Sequence, residues 1–314
     1  MRGRLAAVSI DLDEVPNYLA LHGLAVPDRP GAAAALHAVY DAALPRIADF
    51  AASHGIPVTL FAIGRDLARP ESAAALRALS DAGHAVENHS YGHRYDLSRL
   101  PRAAIARDVL LGAEAIAEAV GRRPAGFRAP GYTVSDALFD ALDAVGVAFD
   151  SSVFPCPPYY AAKALVLGVQ RAQGRGSAAI LDTPRVLAAP RRPYRPGRPW
   201  YRRGGRRFVE LPIQVTPGLR LPVIGTSVAL AGAAGARWLA RACAAEALVN
   251  LELHGMDFLD RRDGLEALAP YQPELRVALG RRIEALGAFV EETARGGATF
   301  VRLDEASRER GLIA

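Results

Sequence analysis

The sequence of 314 residues predicts an α/β fold, a parallel sheet that closes into a distorted (β/α)7-type barrel. Three observations lead to this prediction. Short apolar segments alternate with amphipathic helical segments along the first half of the chain. With 51% hydrophobic residues, the chain can bury the core of one such barrel with insertions. Chemically reactive side chains recur just after the apolar segments, where the active sites of such barrels lie.

The first half of the chain supplies most of the predicted elements. Five apolar segments are predicted strands, at residues 6–10, 58–64, 85–88, 126–128 and 147–150. Helices are predicted between them, at residues 32–53, 71–82, 100–120 and 135–145. Ser135 is typical of a helix N-cap, and Pro45 predicts a kink in the first of these helices. Residues 14–30 carry three prolines and are predicted to form a loop.

The alternation is lost between residues 155 and 207, which we predict to be a long, irregular Arg/Pro-rich insertion within one domain of residues 1–314. Beyond it, strands are predicted at residues 208–215, 249–254 and 298–303, with Glu210 near the site. Helices are predicted at residues 233–248 and 273–295.

Residues 185–207, the arginine-rich segment, contain nine arginines and no acidic residue. Without these arginines the formal net charge of +5 would be −4. Tyr194, Trp200 and Tyr201 lie among them. The segment can be a flexible insertion that reflects composition, or a surface for an anionic lipid headgroup or a lipid pyrophosphate. No recognised nucleic-acid-binding fold accompanies it, so we expect no nucleic-acid partner.

The cysteines and the beginning of the sequence bear on the compartment. Cys156 and Cys243 are the only cysteines and lie far apart, which favours two free buried thiols over a disulfide framework. The first predicted strand begins without a preceding signal-peptide pattern. We therefore expect a cytoplasmic protein, with peripheral contact at the inner membrane face as an open alternative.

Two histidines, His89 and His93, follow the third predicted strand. Their spacing allows both to reach one metal ion through neutral ring nitrogens. The first predicted strand ends in Asp11-Leu12-Asp13, and burying two carboxylates there is unfavourable unless a cation or hydrogen bonds compensate. One carboxylate and two imidazoles leave a coordination position open for water, which is typical of catalytic zinc.

With these residues the chain resembles the polysaccharide deacetylase family, the carbohydrate esterases of the NodB and chitin deacetylase type. Four family motifs occur here in order, as Asp11-Leu12-Asp13, His89-Ser90-Tyr91-Gly92-His93, Arg128-Ala129-Pro130-Gly131-Tyr132 and Leu251-Glu252-Leu253-His254. The resemblance covers residues 5–154 and 248–254. The family commonly has two adjacent aspartates in its first motif, whereas one residue separates them here. The tryptophan usual in a further motif near Asp150 is absent.

The resemblance implies a role for each of these residues. Asp13, His89 and His93 would hold a divalent metal, expected to be Zn²⁺, which makes hydroxide available near neutral pH. Asp11 would be the general base, and Arg128 would pair with it.

The remaining motif residues would act on the substrate. The backbone N–H of Tyr132 would stabilise the oxyanion, and Gly131 would let the backbone approach closely. His254 would protonate the departing amine, and Asp150 would contact the substrate.

These expectations describe metal-dependent hydrolysis of an amide C–N bond, as N-deacetylation or deformylation of an N-acylamino sugar or carrier-linked glycan. A lipid or nucleotide carrier met at the membrane face is a sharper form of this hypothesis. One alternative is a hydrolase of a non-sugar linear or cyclic amide in the same superfamily. Another is a metal-retaining binding protein without turnover, against which Asp11, Arg128 and His254 argue. The histidines can also be ordinary core or capping residues.

Overall fold

The computed structural model describes residues 3–26, 35–174 and 176–312. Within these ranges one parallel sheet contains β1 (Arg4–Asp11), β2 (Val58–Ala62), β3 (Ala85–Asn88), β4 (Gly126–Phe127), β5 (Phe149–Asp150), β6 (Val209–Glu210), β7 (Leu248–His254) and β8 (Ala298–Phe300). The strand order is β6-β5-β4-β3-β2-β1-β7, and β8 pairs with the first residues of β1.

Helices follow most of these strands. They are α1 (Val15–Leu21), α2 (Leu44–His54), α3 (Pro70–Asp81), α4 (Arg102–Val120), α5 (Asp136–Val145), α6 (Pro157–Ala172), α7 (Gly225–Ala242), α8 (Leu279–Arg295) and α9 (Leu303–Arg308). The side chain of Ser135 accepts a hydrogen bond from the Leu138 N–H, so it is the N-cap of α5, as predicted.

The sheet curls so that its two ends, β6 and β7, approach each other. The Gln214 N–H donates to the Asn250 carbonyl at 3.1 Å, and Ile224 forms an isolated parallel bridge with Glu252. These contacts join the ends without a regular ladder. The predicted distorted (β/α)7-type barrel is confirmed.

The alternation of side chains along β1 and β7 separates the core from the site. Val8 and Ile10 of β1, with Leu251 and Leu253 of β7, pack in the main apolar cluster beneath the helices. The residues between them point to the other face of the sheet. The register pairs Ser9 with Glu252 and Asp11 with His254. Two neighbouring strands therefore bring their polar side chains together inside the barrel at their carboxyl ends.

The prediction of a loop over residues 14–30 is wrong in its first part, because Val15–Leu21 forms α1. Pro16 lies in the first turn of this helix, where a missing N–H removes no intrahelical hydrogen bond. Glu14 caps the helix by accepting from the Val15 N–H. The remainder of the predicted loop and the start of the next predicted helix, residues 27–34, lie outside the described residues.

In the described part of that next helix, a π-helical turn, Val39–Ala43, leads into α2, and Pro45 lies in the first turn of α2. The predicted kink therefore takes the form of a change in helix type. The predicted helix at residues 233–248 begins earlier, at Gly225. The predicted strand at residues 208–215 is regular only at Val209–Glu210.

The predicted irregular insertion is not confirmed. Residues Pro157–Ala172 form α6, in which prolines occupy the first turn and good helix formers follow. The backbones of Tyr194 and Glu210 exchange two hydrogen bonds, of 3.1 and 2.8 Å, which join the arginine-rich segment to β6. Proline content alone does not exclude a helix here, because prolines in the first turn are compatible with one and the residues that follow favour it.

The arginine-rich segment is held by ion pairs with acidic residues elsewhere in the chain. Arg206 binds Asp140 at 2.6 Å and Asp136 at 3.4 Å, both on α5. Arg191 and Arg192 both pair with the buried Glu246, the latter at 2.9 Å. These ion pairs attach the arginine-rich segment to the rest of the fold.

Two of the aromatic side chains in that segment, Tyr194 and Trp200, are buried. They are not available to a headgroup interface, so the lipid-docking interpretation loses its basis. Cys156 and Cys243 are free and buried, as predicted. Among the described residues, no helix combines the length and the apolar character that a bilayer crossing requires.

Candidate active site

Asp13, His89 and His93 meet at the carboxyl ends of β1 and β3. Asp13 Oδ1 lies 3.2 Å from His89 Nε2 and 3.2 Å from His93 Nε2, and all three side chains are buried. Two atoms bound to one tetrahedral zinc at 2.0–2.1 Å are about 3.3 Å apart. The three side chains therefore lie at the separation that a shared metal ion requires.

The hydrogen bonding of these residues also fits a metal. His89 Nδ1 lies 2.9 Å from the Arg128 carbonyl, which places its proton on Nδ1 and leaves Nε2 free to coordinate. Asp13 Oδ1 and both ring nitrogens of His93 have no hydrogen-bond partner of suitable geometry among the described residues. Buried polar atoms rarely lack a hydrogen-bond partner in folded proteins. A divalent cation bound by Asp13, His89 and His93 would satisfy Asp13 Oδ1 and one His93 nitrogen.

The turn that carries the two histidines is strained rather than helical. Ser90 and His93 have positive φ angles of 69° and 49°, which non-glycine residues seldom adopt. The His93 N–H donates to Ser90 Oγ at 2.9 Å, and the Tyr91 N–H donates to Asp108 at 2.9 Å. Such strain persists where surrounding contacts enforce it, and it is concentrated at functional sites.

Asp11 lies beside the triad and is oriented by Arg128. Arg128 Nη1 donates to Asp11 Oδ1 at 2.6 Å, and its other donors bind the Ser151 carbonyl at 2.8 Å and Ser9 Oγ at 2.8 Å. Asp11 Oδ2 has no hydrogen-bond partner among the described residues and lies 3.7 Å from His89 Nε2. One carboxylate oxygen is thus fixed, while the other faces the triad.

His254 lies across the cavity and is paired with Glu252, which the sequence analysis did not single out. His254 Nδ1 is 3.1 Å from Glu252 Oε1, and its Nε2 is 3.2 Å from the Tyr132 hydroxyl. Burial lowers the pKa of His254, but nearby carboxylates, above all Glu252, outweigh it and raise that pKa to about 9. Burial raises the pKa of Glu252 to about 7, so between these values the two form an ion pair.

The strand pattern contained the signal for Glu252. Residues two apart on a strand face the same side, so Leu251-Glu252-Leu253-His254 places Glu252 next to His254. Tyr132, by contrast, does not offer the group predicted for it. Its backbone N–H donates to the Ala129 carbonyl at 3.0 Å within a tight turn, so it is not free for an oxyanion. The Tyr132 hydroxyl faces the site instead.

Gly131 lies on the cavity wall, with a φ of 62°. A Cβ there would lie 2.9 Å from the Tyr95 ring, so glycine lets this ring pack against the backbone, and the close approach of the backbone to a substrate stays a prediction. The prediction that Asp150 contacts the substrate is wrong. Asp150 is fully buried beneath the site and accepts from the Ser152 N–H and hydroxyl at 3.1 and 2.8 Å. Glu210, also buried, accepts from the Val153 N–H at 3.0 Å and lies outside the cavity.

These side chains open into a cavity of about 180 Å³. Its wall includes five carboxylates, those of Asp11, Asp13, Glu252, Asp257 and Glu274. Helix α6 contributes Tyr159 and Lys163, and α1 contributes Tyr18. The cavity is therefore polar, acidic and partly covered by helices.

A second cluster, Asp11, Glu252 and His254, also has ligand atoms within 4.8 Å of one another. Its charges are already matched, because Asp11 binds Arg128 and His254 lies against Glu252. The first triad, with unpartnered ring nitrogens and a single carboxylate, is the better metal site.

The fold and this geometry define an α/β-barrel protein with a candidate metal site at the carboxyl ends of its strands. Residues 33–149 match the family model described as polysaccharide deacetylase, the family that the motifs of the chain resemble. The match includes His89, His93 and Arg128. Asp11, Asp13 and His254 lie outside the matched residues, and the barrel brings them to the same place.

The similar proteins are distant. A peptidoglycan deacetylase of Helicobacter pylori is 26% identical over 159 residues, which are 50% of this chain and 52% of that protein. The chain thus spans about half the length of this curated relative.

Two solved structures share the fold. A polysaccharide deacetylase-type protein of Mycobacterium smegmatis superposes with a TM-score of 0.62 at 19% identity, covering 98% of this chain and 90% of the other. Puue allantoinase superposes with a TM-score of 0.59 at 17% identity, covering 98% and 90%. At such identities the likeness establishes the fold alone.

Proposed function

We propose that the chain is a metal-dependent hydrolase that removes an N-acyl group, as acetate or formate, from an N-acylated amino sugar. The observation that carries the proposal is the buried triad of Asp13, His89 and His93 with Asp11 beside it and His254 across the cavity. The match to the polysaccharide deacetylase family model and the similarity to the peptidoglycan deacetylase of Helicobacter pylori support an N-acetylated sugar as substrate.

Asp13, His89 and His93 would hold the divalent metal, for which Zn²⁺ suits one carboxylate and two imidazoles. When bound, such an ion supplies Lewis-acid activation of water and polarisation of the acyl carbonyl.

Asp11 would accept the proton of the attacking water. Its Oδ2 is free and faces the triad, while Oδ1 is held at 2.6 Å by Arg128. The guanidinium holds one oxygen of the carboxylate and thereby orients the other as a base. Arg128 would thereby position Asp11 without contacting the substrate.

His254 would donate a proton to the departing amine, because an amide nitrogen leaves poorly as an anion. Glu252 keeps the imidazole charged and turns Nε2 towards the cavity. In the absence of substrate that nitrogen lies beside the Tyr132 hydroxyl, which the amine would replace. The hydroxyl would then be able to donate to the substrate.

The lipid-carrier form of the hypothesis is not retained, because several of the arginines that motivated it form ion pairs within the chain and two of the aromatic side chains are buried. The cytoplasmic location stays a prediction.

The test is an assay of acetate and formate release from N-acetylated and N-formylated sugars by the zinc-loaded protein. Asp11→Asn is expected to lower kcat by about 100-fold or more while metal binding persists, as loss of a general base does. Asp81→Asn, at an exposed position, is the matched control and should leave the rate unchanged. Ring opening of a cyclic amide without acyl release would favour the alternative hydrolase. Metal binding without turnover of any substrate would favour a binding protein.

A further inference from the structure

Helix α6 contributes two side chains to the wall of the site. Tyr159 and Lys163 on one face of this helix line the cavity, while Leu165 and Val166 on another face are 69% and 51% exposed. A cavity of about 180 Å³ lies below the usual range of ligand pockets, about 300–1,000 Å³. A cavity of this size can hold one sugar unit at the candidate metal site.

Lys163 is the only lysine among the 38 basic residues of the chain. It is also the only lysine or arginine among the described residues that line this cavity. Its Nζ donates to the Gly131 carbonyl at 3.0 Å and lies 6.0 Å from the centroid of the Tyr159 ring. Burial lowers the pKa of Lys163 to about 8, with Asp182 acting in the opposite direction. The ammonium is therefore placed where desolvation disfavours it unless an anion compensates.

The cavity wall carries charges of both signs, which come from different elements. Glu252, Asp257 and Glu274 line the cavity, and Lys163 reaches it from α6 beside Gly131. A negatively charged group is repelled by the carboxylates and attracted by the ammonium. A lysine ammonium is a compact point charge that binds phosphate and carboxylate through several donors.

We propose that Lys163 binds an anionic substituent, a carboxylate or a phosphate, on a single N-acylated sugar unit in this cavity. This inference rests on the proposed function and narrows its substrate class. Lys163 is then a specificity-determining residue, and α6 is the element that places it. A structural alternative is that Lys163 only fastens α6 to the Gly131 carbonyl.

Three substrates separate these possibilities: N-acetylglucosamine, its 6-phosphate and N-acetylmuramic acid, which are neutral, phosphorylated and carboxylated. The wild-type protein is expected to have a kcat/KM at least tenfold higher for one of the anionic substrates than for the neutral sugar. Lys163→Met should lower that ratio by about tenfold or more, as loss of a charged hydrogen bond does. Lys163→Arg should retain most of the preference. Which anionic substrate responds distinguishes phosphate from carboxylate.

Arg171→Met is the matched control, because it removes one positive charge from the same helix at an exposed position outside the cavity. It should leave the ratio unchanged. An equal loss for neutral and anionic substrates in Lys163→Met would show a fastening role only and would overturn the proposal. A wild-type preference for the neutral sugar would overturn it as well.

Product binding gives a second readout that does not need turnover. Glucosamine 6-phosphate and the free amino sugar of N-acetylmuramic acid are titrated calorimetrically against the wild-type protein and Lys163→Met, with glucosamine as the neutral reference. At least one anionic product should bind about tenfold more weakly to the variant, while glucosamine binding stays the same. If no substrate is hydrolysed, the proposed function fails, and these titrations still decide the role of Lys163. Equal binding of both anionic products to the two proteins would refute it.

Discussion

The cavity and the arginine-rich segment both contain many charged side chains, but they differ in whether these side chains have partners within the chain. In the segment each of several arginines meets a carboxylate from another element, as Arg206 meets Asp136 and Asp140. In the cavity, Asp13 faces two imidazoles, and Asp11 keeps one oxygen without a hydrogen-bond partner among the described residues. Charges that are matched within the chain stabilise the fold, whereas those left open are available to a metal or a substrate.

The difference separates effects on activity from effects on stability. Changes in the cavity should alter chemistry while the fold persists. Changes in the arginine-rich segment should lower the free energy of unfolding and leave the chemistry intact.

The largest effect is expected from removing a metal ligand. His93→Ala should lower kcat/KM for acyl release by about 1,000-fold or more, because Lewis-acid activation depends on a complete ligand set. A chelator should act in the same way on the wild-type protein, with recovery on adding Zn²⁺. Asp140→Ala is the control. It removes a carboxylate that pairs with Arg206 outside the cavity, and it should leave the rate within about twofold. A His93→Ala protein of normal activity would refute the assignment.

The next effect is expected from Glu252→Gln. Loss of the carboxylate should lower kcat by about 100-fold, the usual contribution of general acid catalysis. The pH profile tests the reason. Because nearby carboxylates, above all Glu252, raise the pKa of His254 to about 9 against the effect of burial, activity should fall above that pH in the wild-type protein and at a lower pH in the variant. An unchanged alkaline limb would show that Glu252 does not act through His254.

A smaller effect, on stability alone, is expected from Arg206→Met. The Arg206 side chain is 9% exposed and bridges two aspartates, so its loss should cost about 1–3 kcal/mol of unfolding free energy. Urea denaturation measures this change, and acyl release should be retained. An inactive but equally stable variant would contradict the division between the two regions.

The smallest effect is a pH dependence of stability at Glu246. Burial raises its pKa, but Arg191 and Arg192 outweigh it and hold the pKa below its usual value. A carboxyl with a lowered folded-state pKa stabilises the protein above its unfolded pKa, and this contribution is lost as the pH falls through the folded value. Glu246→Gln should therefore lose stability near neutral pH, by about 1 kcal/mol, and differ less from the wild-type protein at acid pH. Denaturation at several pH values measures this. An equal loss at all pH values would exclude titration of Glu246.

The sequence predicted the barrel and most residues of the candidate site because their signals are local. The short apolar strands that precede Asp11-Leu12-Asp13 and His89 can be recognised because they alternate with helical segments. Parallel strands then bring their carboxyl ends to the same edge of the sheet. The period of two along β7 also predicts that Glu252 lies next to His254, although Glu252 was not among the predicted site residues.

Other features depend on tertiary contacts. The Tyr132 N–H is occupied by a turn within its own motif, and Asp150 is turned beneath the site, which no spacing reveals. The acidic partners of the arginines are set by tertiary packing. The sequence does show that Asp136, Asp140 and Asp143 share one face of α5, which indicates an acidic surface able to pair with arginines.

The most direct test of the account is the metal content of the purified protein, measured by mass spectrometry with Asp13→Ala and Glu252→Gln beside it. The account predicts one divalent ion per chain in the wild-type protein, retained in Glu252→Gln and lost in Asp13→Ala. Retention of the ion in Asp13→Ala with loss in Glu252→Gln would place the metal at the other cluster. A fully active wild-type protein without metal would contradict the account altogether.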